Sequence, residues 1–352
     1  MTQTQKQGPK QDPKPVARSA RRGSGGITLS DVSRLAGVSA ITVSRALNTP
    51  DRVSPETRER VRLAVESTGY VPNLLAGGLA SNRSRLVAAL VPTIAGPVFL
   101  ETIQALTDTL AGRGYQLLLG QSGYGESRED ALIDALVGRR PDGIVLTGVM
   151  RSPEGRRRLV AAGIPVVETW DLTPTPVDML VGFSHEQAGE AVGHYLAGKG
   201  YRRPAVVTGD DHRAMQRQRG IERAFAQHGI VGLPVLTVRA PTTLGSGREA
   251  LRSLLARHAE PDVLCCSSDA LAHGAITEAH SRGMSVPGDI AVMGFGDLSF
   301  ARHAFPAIST VRIDGTAIGQ RAAGFIADRA EGRGVAQPVV DIGFSLVQRE
   351  SA

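Results

Sequence analysis

Short apolar runs alternate with longer, helix-like stretches from about residue 84 to the end of the chain. The predicted strands are 86–91, 115–120, 143–147, 164–167, 204–208, 263–267 and 290–294. Strands that alternate with helices form βαβ units and parallel sheets. Because this pattern covers roughly 265 residues, which is long for one doubly wound sheet, we expect two α/β lobes with a ligand cleft at the carboxyl ends of their strands.

A different pattern, that of three short helices, precedes the α/β part and covers residues 27–72. Thr28 and Asp31 have the spacing of a capping box, which starts the first helix. Gly37 is suited to end that helix because glycine readily adopts the left-handed conformation. Ser39 follows closely and is suited to cap a second helix. Two short helices joined by such a tight turn predict a helix-turn-helix.

The second helix of a helix-turn-helix enters the major groove of DNA with its N-terminal end. We therefore expect Ala40 and Ile41 to face base edges, where Ile41 can contact a thymine methyl group. The predicted DNA-contacting residues of this segment are Thr28, Leu29, Ser39, Ala40, Ile41, Thr42, Ser44, Arg45, Asn48, Arg52, Ser54 and Thr57. An ordinary helical hairpin is the competing interpretation.

The charge distribution favours the nucleic-acid interpretation. Residues 1–85 hold 14 Lys and Arg against 6 Asp and Glu, whereas the remainder holds 26 against 28. A basic segment on a near-neutral body is typical of proteins that bind nucleic acids. Residues 1–26 are polar and basic with almost no large apolar side chains, so we expect a disordered tail there.

Composition and motifs argue against several other classes of protein. The chain of 352 residues is 41% hydrophobic, but it contains neither a membrane-spanning apolar run nor a signal-peptide core, so we expect a cytoplasmic protein. Its two cysteines, Cys265 and Cys266, are too few for a structural zinc site. No dinucleotide-binding, phosphate-loop, zinc-peptidase or nucleophile-elbow motif occurs. We therefore expect neither an enzyme nor a cofactor.

The helical segment closely resembles the DNA-binding headpiece of the LacI/GalR family of transcriptional regulators, through Ile27–Val32, Ala36–Ser39 and Thr42–Asn48. The resemblance continues through Val53–Arg58, Gly69–Asn73, Gly163–Val167, Ser268–Ala272 and Val286–Ile290. It implies an all-α helix-turn-helix headpiece followed by an α/β, two-lobed domain of the periplasmic-binding-protein type (type I). It also implies a homodimer that binds a palindromic operator on double-stranded DNA, with no membrane partner.

The resemblance also implies a division of the chain into domains. We expect a tail at 1–26, the headpiece at 27–72, a hinge helix at 73–83 and an effector-binding and dimerisation domain at 84–352. Lobe 1 is expected at about 84–184 and 314–335, and lobe 2 at about 185–313 and 336–352.

The hinge is expected to contact DNA through Asn73, Ala76 and Leu79. In the family, a leucine at the position of Leu79 wedges between base pairs in the minor groove; simple packing within the dimer is the competing role. Gly77 and Gly78 depart from the longer polar residues common there, and each costs a helix about 1 kcal/mol relative to alanine. The two glycines either weaken the hinge, which favours a helix that forms only on DNA, or let two hinge helices approach each other closely.

The resemblance and the strand ends together predict the effector-binding residues, which are Phe99, Glu168, Trp170, Asp171, Arg217, Ser268, Asp269, Gly296 and Asp297. In the family an aromatic residue often stacks on the ligand at the position of Phe99, and a cation at that of Arg217 binds ligand oxygens. Many relatives carry an Asp at the position of Gly296, and its absence leaves a cleft that suits an anion.

The effector class is predicted from a narrower resemblance within the family. The chain looks most like the gluconate-repressor subgroup, which implies a repressor of sugar-acid catabolism genes, released by gluconate, a ketogluconate or a phosphorylated relative. Within the same class of regulator, the effector could instead be a neutral sugar or a corepressor. Structural roles also stay open for Glu168, Asp171 and Asp297, and a surface ion pair for Arg217.

Two rival classes of protein share parts of this pattern. The first is a stand-alone sugar-binding protein, against which the helix-turn-helix and the missing signal-peptide core both argue. The second is an architectural DNA-binding protein, which would have no use for roughly 265 residues of cleft-forming α/β body.

Overall fold

The structure is a computed structural model that describes residues 27–71, 83–94, 96–124, 126–257 and 260–352. The chain separates into two compact units, residues 1–81 and 82–352. The predicted tail at 1–26 and the predicted hinge contacts Asn73, Ala76 and Leu79 lie outside the described residues.

The first unit contains the helices α1 (Leu29–Ala36), α2 (Ala40–Asn48) and α3 (Pro55–Thr68), with a 3-10 turn at Pro50–Arg52. Each helix turns one apolar face towards a small shared core. The buried residues of this core are Val32, Ala36, Val43, Val61 and Ala64.

Local capping sets the ends of these helices. The carboxylate of Asp31 accepts hydrogen bonds from the backbone N–H and the hydroxyl of Thr28, at 3.0 and 2.6 Å. Gly37 ends α1 with φ of +64°, in the left-handed region that glycine tolerates. Ser39 caps α2 by accepting from the N–H of Thr42 at 3.1 Å. The helix-turn-helix geometry therefore follows from short-range sequence signals.

The second unit contains a six-stranded sheet, a four-stranded sheet and a two-stranded ribbon. Its strands are β1 (Leu86–Val91), β2 (Gln116–Gln121), β3 (Gly143–Thr147), β4 (Val166–Thr169), β5 (Met179–Gly182), β6 (Pro204–Gly209), β7 (Val235–Val238), β8 (Val263–Cys266), β9 (Ala291–Met293), β10 (Thr310–Arg312), β11 (Val339–Asp341) and β12 (Ser345–Val347). Its helices are α4 (Leu100–Gly112), α5 (Glu126–Val137), α6 (Pro153–Ala162), α7 (His185–Gly198), α8 (His212–Gln227), α9 (Leu244–Ala256), α10 (Asp269–Ser281) and α11 (Gly315–Ala330).

Two α/β lobes result. The first has the parallel strand order β2-β1-β3-β4-β5-β11, and the second has the parallel order β7-β6-β8-β9. β1, β4 and β6 are buried almost throughout, as strands covered on both faces are. The antiparallel ribbon of β10 and β12 adjoins β9 through a bridge between Met293 and Ser309. None of the helices among the described residues is long and apolar enough to cross a membrane.

The end of the chain departs from the expected lobe boundaries. Residues 336–352 were expected in lobe 2, but β11 pairs in parallel with β5 at the edge of the first sheet. The chain thus passes between the lobes after β5, after β10 and again after β11. β11 has only three residues, of which one is buried, so no apolar run marks it in the sequence.

Candidate functional site

The residues predicted to contact DNA lie on the surface of the helical unit. Thr28, Ser39, Ile41, Arg45, Asn48, Arg52 and Ser54 are exposed, and Leu29, Ala40, Thr42, Ser44 and Thr57 are half-buried. Ile41 is 66% exposed at the start of α2, whereas Val43 on the same helix is fully buried. An apolar side chain displayed at this end of the second helix is available to a thymine methyl group in the major groove.

The arginines of the headpiece differ in their availability to phosphates. Arg34 is paired with Asp31, and Arg62 is paired with two glutamates of α3. Arg45 and Arg52 form no ion pair within the part of the headpiece that the structure describes. Their free guanidinium groups can therefore bind a phosphate without first losing a carboxylate partner.

A cavity of about 100 Å³ lies in the cleft between the two lobes. It is bounded by segments that follow β1, β4, β6, β8 and β9, as the switch-point rule for parallel sheets requires. One water needs roughly 10–15 Å³ on this measure, so the cavity has room for a small organic molecule.

Arg217 of α8 supplies a fixed positive charge. Its guanidinium donates to Nδ1 of His185 at 2.8 Å and to the carbonyl of Ser267 at 3.1 Å, and it lies 3.9 Å from the centre of the Phe295 ring. Burial lowers the pKa of Arg217 to about 10, so it stays charged near neutral pH. Its buried Nε–H has no protein acceptor among the described residues. That donor is available to a ligand oxygen or a water.

His185 holds Arg217 in place as a neutral ring. Its Nε2 lies 2.8 Å from the carbonyl of Trp170, which can only accept, so Nε2 carries the proton and Nδ1 accepts from Arg217. Burial, followed by the charge of Arg217, keeps the pKa of His185 well below its usual range. The ring therefore adds no charge to the cavity.

Aromatic rings form the apolar wall. Phe99 meets Trp170 edge to face, with ring centres 5.1 Å apart. Trp170 has φ of +63°, which costs a non-glycine residue on the order of 1–3 kcal/mol. This conformation is held by its indole N–H, which donates to Thr102 at 3.0 Å, and by its carbonyl, which accepts from His185. The wall is therefore fixed before any ligand arrives.

Further polar groups complete the cavity. Arg213 and Asp211 lie on and just before α8, where Asp211 caps the helix. The hydroxyl groups of Ser268 and Thr242 are 2.8 Å apart. Tyr124 lies at the boundary with a wider part of the cleft, of about 240 Å³. Among the described lining residues, two arginines face one carboxylate, so the cavity is net positive.

Of the nine predicted effector residues, the cavity lining brings together Phe99, Trp170, Arg217 and Ser268. The carboxylate of Glu168 is instead engaged by the backbone N–H groups of Met150 and Val177, at 2.6 and 2.8 Å. It thereby braces two loops of the first lobe.

Asp171 lines the wider part of the cleft, next to the cavity. Its carboxylate accepts from the backbone N–H of Leu172 at 2.8 Å. Burial raises its pKa, and the nearby Arg213 acts in the opposite direction. Asp171 can therefore meet only the part of a ligand that extends beyond the cavity.

Asp269 and Asp297 bind protein groups in the second lobe. Asp269 is fully buried and accepts from the hydroxyl of Thr310 at 2.6 Å and the N–H of Leu298 at 2.7 Å. Burial raises its pKa to about 6. Asp297 forms an ion pair with Arg349. Since Leu298 lines the cavity, this network positions one of its walls.

Gly296 lies beside the cavity in a conformation that glycine alone adopts readily. Its φ is +122°, and a Cβ there would lie 3.7 Å from Val98 and Leu298. Space is available, but the backbone would be strained by any side chain. An acid at this position would therefore need a different loop conformation.

The unpredicted residues of the cavity lining include five with charged or aromatic side chains: His185, Asp211, Arg213, Tyr124 and Phe295. Two of them carried a usable signal. Asp211 lies three residues after the end of a predicted strand. Arg213 precedes Arg217 by four residues, which places both arginines on one helix face. The histidines showed no metal-binding spacing in the sequence, and among the described residues no group of three or more metal-binding side chains occurs.

Two family descriptions match the two units of the chain. The description "Bacterial regulatory proteins, lacI family" matches residues 28–73, and "Periplasmic binding protein-like domain" matches residues 194–352. A helix-turn-helix unit joined to a two-lobed binding domain defines the class of DNA-binding transcriptional regulators that carry a ligand domain.

Whole-chain relatives identify the family. The HTH-type transcriptional regulator GntR of Pseudomonas aeruginosa is 39% identical over 94% of this chain and 97% of its own length. A LacI-family transcriptional regulator from Silicibacter pomeroyi superposes with a TM-score of 0.87 at 32% identity, over 92% of this chain and 99% of that one. The transcriptional regulator CelR, in a complex with cellobiose, has a TM-score of 0.67 at 30% identity, over 93% and 100%. The chain belongs to the LacI family and is a DNA-binding transcriptional regulator; relatives of this kind are not enzymes.

Proposed function

We propose that this regulator is a homodimeric repressor of sugar-acid catabolism genes that leaves its operator when a sugar acid of the gluconate type binds. The observation that carries the proposal is the buried, charged Arg217, with its unpartnered Nε–H, in a net positive cavity. A carboxylate beside a desolvated guanidinium forms charge-assisted hydrogen bonds, which are stronger than those of neutral groups.

The rest of the cavity suits the sugar portion of such a ligand. The Phe99 and Trp170 rings offer apolar surface for C–H groups, and the hydroxyls of Ser268 and Thr242 can exchange hydrogen bonds with ligand hydroxyls. Apolar walls with a few fixed polar groups are typical of small-molecule sites.

Release from DNA requires that the effector and the operator favour different states of the protein. The cavity lies between two lobes, so a ligand can favour one angle of closure. In a dimer, that angle sets the spacing of the two DNA-binding units. The operator favours one spacing of these units. An effector that binds more tightly to the protein with a different spacing lowers operator affinity, by an amount set by the difference between its affinities for the two states.

An exposed apolar strand supports the dimer. β2 is an edge strand of the first sheet, and Leu118 and Leu119 on it are 39% and 44% exposed. Open edges with apolar side chains are normally covered by another element or chain.

Operator binding also requires that the protein be in the cytoplasm, where its DNA is.

Fluorescence anisotropy of a labelled palindromic fragment from the region upstream of the gene tests this function. At constant salt, we expect tight binding of the protein, and release by gluconate, a ketogluconate or one of their phosphates. Glucitol, which has no carboxylate, is the control and should not cause release. Operator binding that none of the acids affects would contradict the proposed effector.

A neutral sugar remains the second candidate. Asp211 places one carboxylate in the cavity, and carboxylates accept hydrogen bonds from sugar hydroxyls. Release by a neutral sugar, with no response to acids, would favour this candidate.

A further inference from the structure

Arg213 and Arg217 occupy one face of α8, four residues apart, and both line the cavity. They differ in whether their partners lie in their own lobe or in the opposite one. Arg217 is bound by His185, Ser267 and Phe295, all on elements of the second lobe or at its start. Its position is therefore set by its own lobe.

Arg213 instead reaches across the cleft. Its Nη1 donates to the carbonyl of Thr147, at the carboxyl end of β3 in the first lobe, over 3.3 Å. Its guanidinium lies 5.1 Å from the centre of the Phe99 ring, also in the first lobe. A neutral carbonyl at this distance is a weak acceptor compared with a carboxylate. The half-buried Arg213 is therefore loosely bound.

The two arginines also act on each other electrostatically. Burial lowers the pKa of Arg217 most; the charge of Arg213 lowers it further, and the carboxylates of Asp211 and Asp171 act in the opposite direction. Like charges in a desolvated cleft repel each other, and an anion between them relieves that repulsion. Asp211 is the only carboxylate among the described lining residues of this cavity, and Asp171 adds a further carboxylate in the wider part of the cleft.

We propose that Arg213 is the residue that selects acids over neutral sugars, by exchanging the Thr147 carbonyl for the ligand carboxylate. This inference rests on the proposed sugar-acid function and deepens it. Both arginines can bind the ligand carboxylate, but Arg217 keeps its protein partners when it does so, whereas Arg213 exchanges one. Because Arg213 belongs to one lobe and its present partners belong to the other, the exchange also changes a contact that joins the lobes. Ligand charge is thereby coupled to lobe closure.

Isothermal titration calorimetry of the full chain with gluconate and with glucitol tests the inference. For Arg213→Gln we expect gluconate affinity to fall by about 10- to 100-fold, the range for hydrogen bonds to charged groups. Glucitol affinity should change by less than about 3-fold, because a neutral ligand gains little from the charge. Arg213→Lys keeps the positive charge but lacks the planar guanidinium group, so its gluconate affinity should lie between those of the wild type and Arg213→Gln.

Arg219→Gln is the matched control, because Arg219 is exposed on the same helix and the same charge is removed. It should bind gluconate like the wild type. Melting temperatures of all variants check that they remain folded. Equal gluconate affinity of Arg213→Gln and the wild type would overturn the role of Arg213 and leave the sugar-acid function standing. A folded wild type that binds no acid would overturn both.

Discussion

The headpiece and the cavity differ in how far apart along the chain their contacting residues lie. In the headpiece, each cap joins residues three positions apart, as in Thr28 with Asp31 and Ser39 with Thr42. In the cavity, Phe99, Trp170 and Phe295 come from separate strand ends. A substitution at a helix cap of the headpiece should therefore lower stability slightly and locally. A substitution that removes a long-range contact in the α/β unit should lower the stability of that whole unit.

The largest expected effect is that of Glu168→Ala. The change leaves the buried N–H groups of Met150 and Val177 without their acceptor. At about 1–3 kcal/mol for each, the free energy of unfolding of the body should fall by about 2–6 kcal/mol. Urea denaturation measures this. Glu249→Ala, at an exposed ion pair, is the control and should cost less than about 0.5 kcal/mol. Unchanged stability together with lost gluconate binding would make Glu168 a ligand group after all.

A second large effect concerns pH and Asp269. Its pKa in the folded protein is about 6, raised by burial from an ordinary value of 3.8. The folded state therefore binds more protons than the unfolded state between these pKa values, so this group's contribution to stability falls as pH rises from about 4 to about 6. Asp269→Asn removes this dependence. Urea denaturation of both proteins across that window should give a difference that varies with pH; a constant difference would contradict the raised pKa.

A smaller, local effect is expected for Ser39→Ala. Loss of this cap should destabilise α2 by about 1 kcal/mol, since the N–H of Thr42 loses its acceptor. Amide hydrogen exchange in α2 measures the change, and exchange in the cavity lobes should not respond. Ser33→Ala, inside α1, is the control, because Ser33 donates to a carbonyl and caps nothing. Faster exchange throughout the body would break the proposed contrast between the two regions.

The smallest effect is a change in salt dependence. Arg45→Gln should reduce the slope of log affinity for the operator against log salt by about 0.9, the value for one phosphate contact. Arg62→Gln should change the slope less, because Arg62 is paired with Glu59 and Glu66. Operator titrations at several salt concentrations measure both slopes. Equal reductions would mean that ion pairing in the headpiece does not decide which arginines contact phosphates.

The same contrast explains what could be predicted from the sequence. Both ends of the first headpiece helix and the start of the second were predicted, because Thr28, Gly37 and Ser39 are local signals. The two-lobed α/β class was also predicted, and the relatives confirm it. β5, β7, β10, β11 and β12 were not predicted, and each has only three or four residues.

The interior of the cleft was less accessible to sequence reasoning. Glu168 and Asp171 are two acids at the same strand end, yet one binds two backbone amides and the other faces the cleft. Whether an acid faces its own backbone or a ligand depends on loop paths that spacing does not encode. The neutral state of His185 likewise depends on Arg217 and Trp170, which are distant in sequence.

The strained Trp170 in the cavity wall is also the only tryptophan of the chain. Its indole is in edge-to-face contact with Phe99 and hydrogen-bonded to Thr102, so its emission depends on surroundings that an incoming ligand alters. The headpiece contributes no indole. Intrinsic fluorescence therefore gives this regulator a built-in optical signal for its ligand domain alone. Occupancy of the cavity and occupancy of the operator can be followed in one cuvette, with no label on the protein.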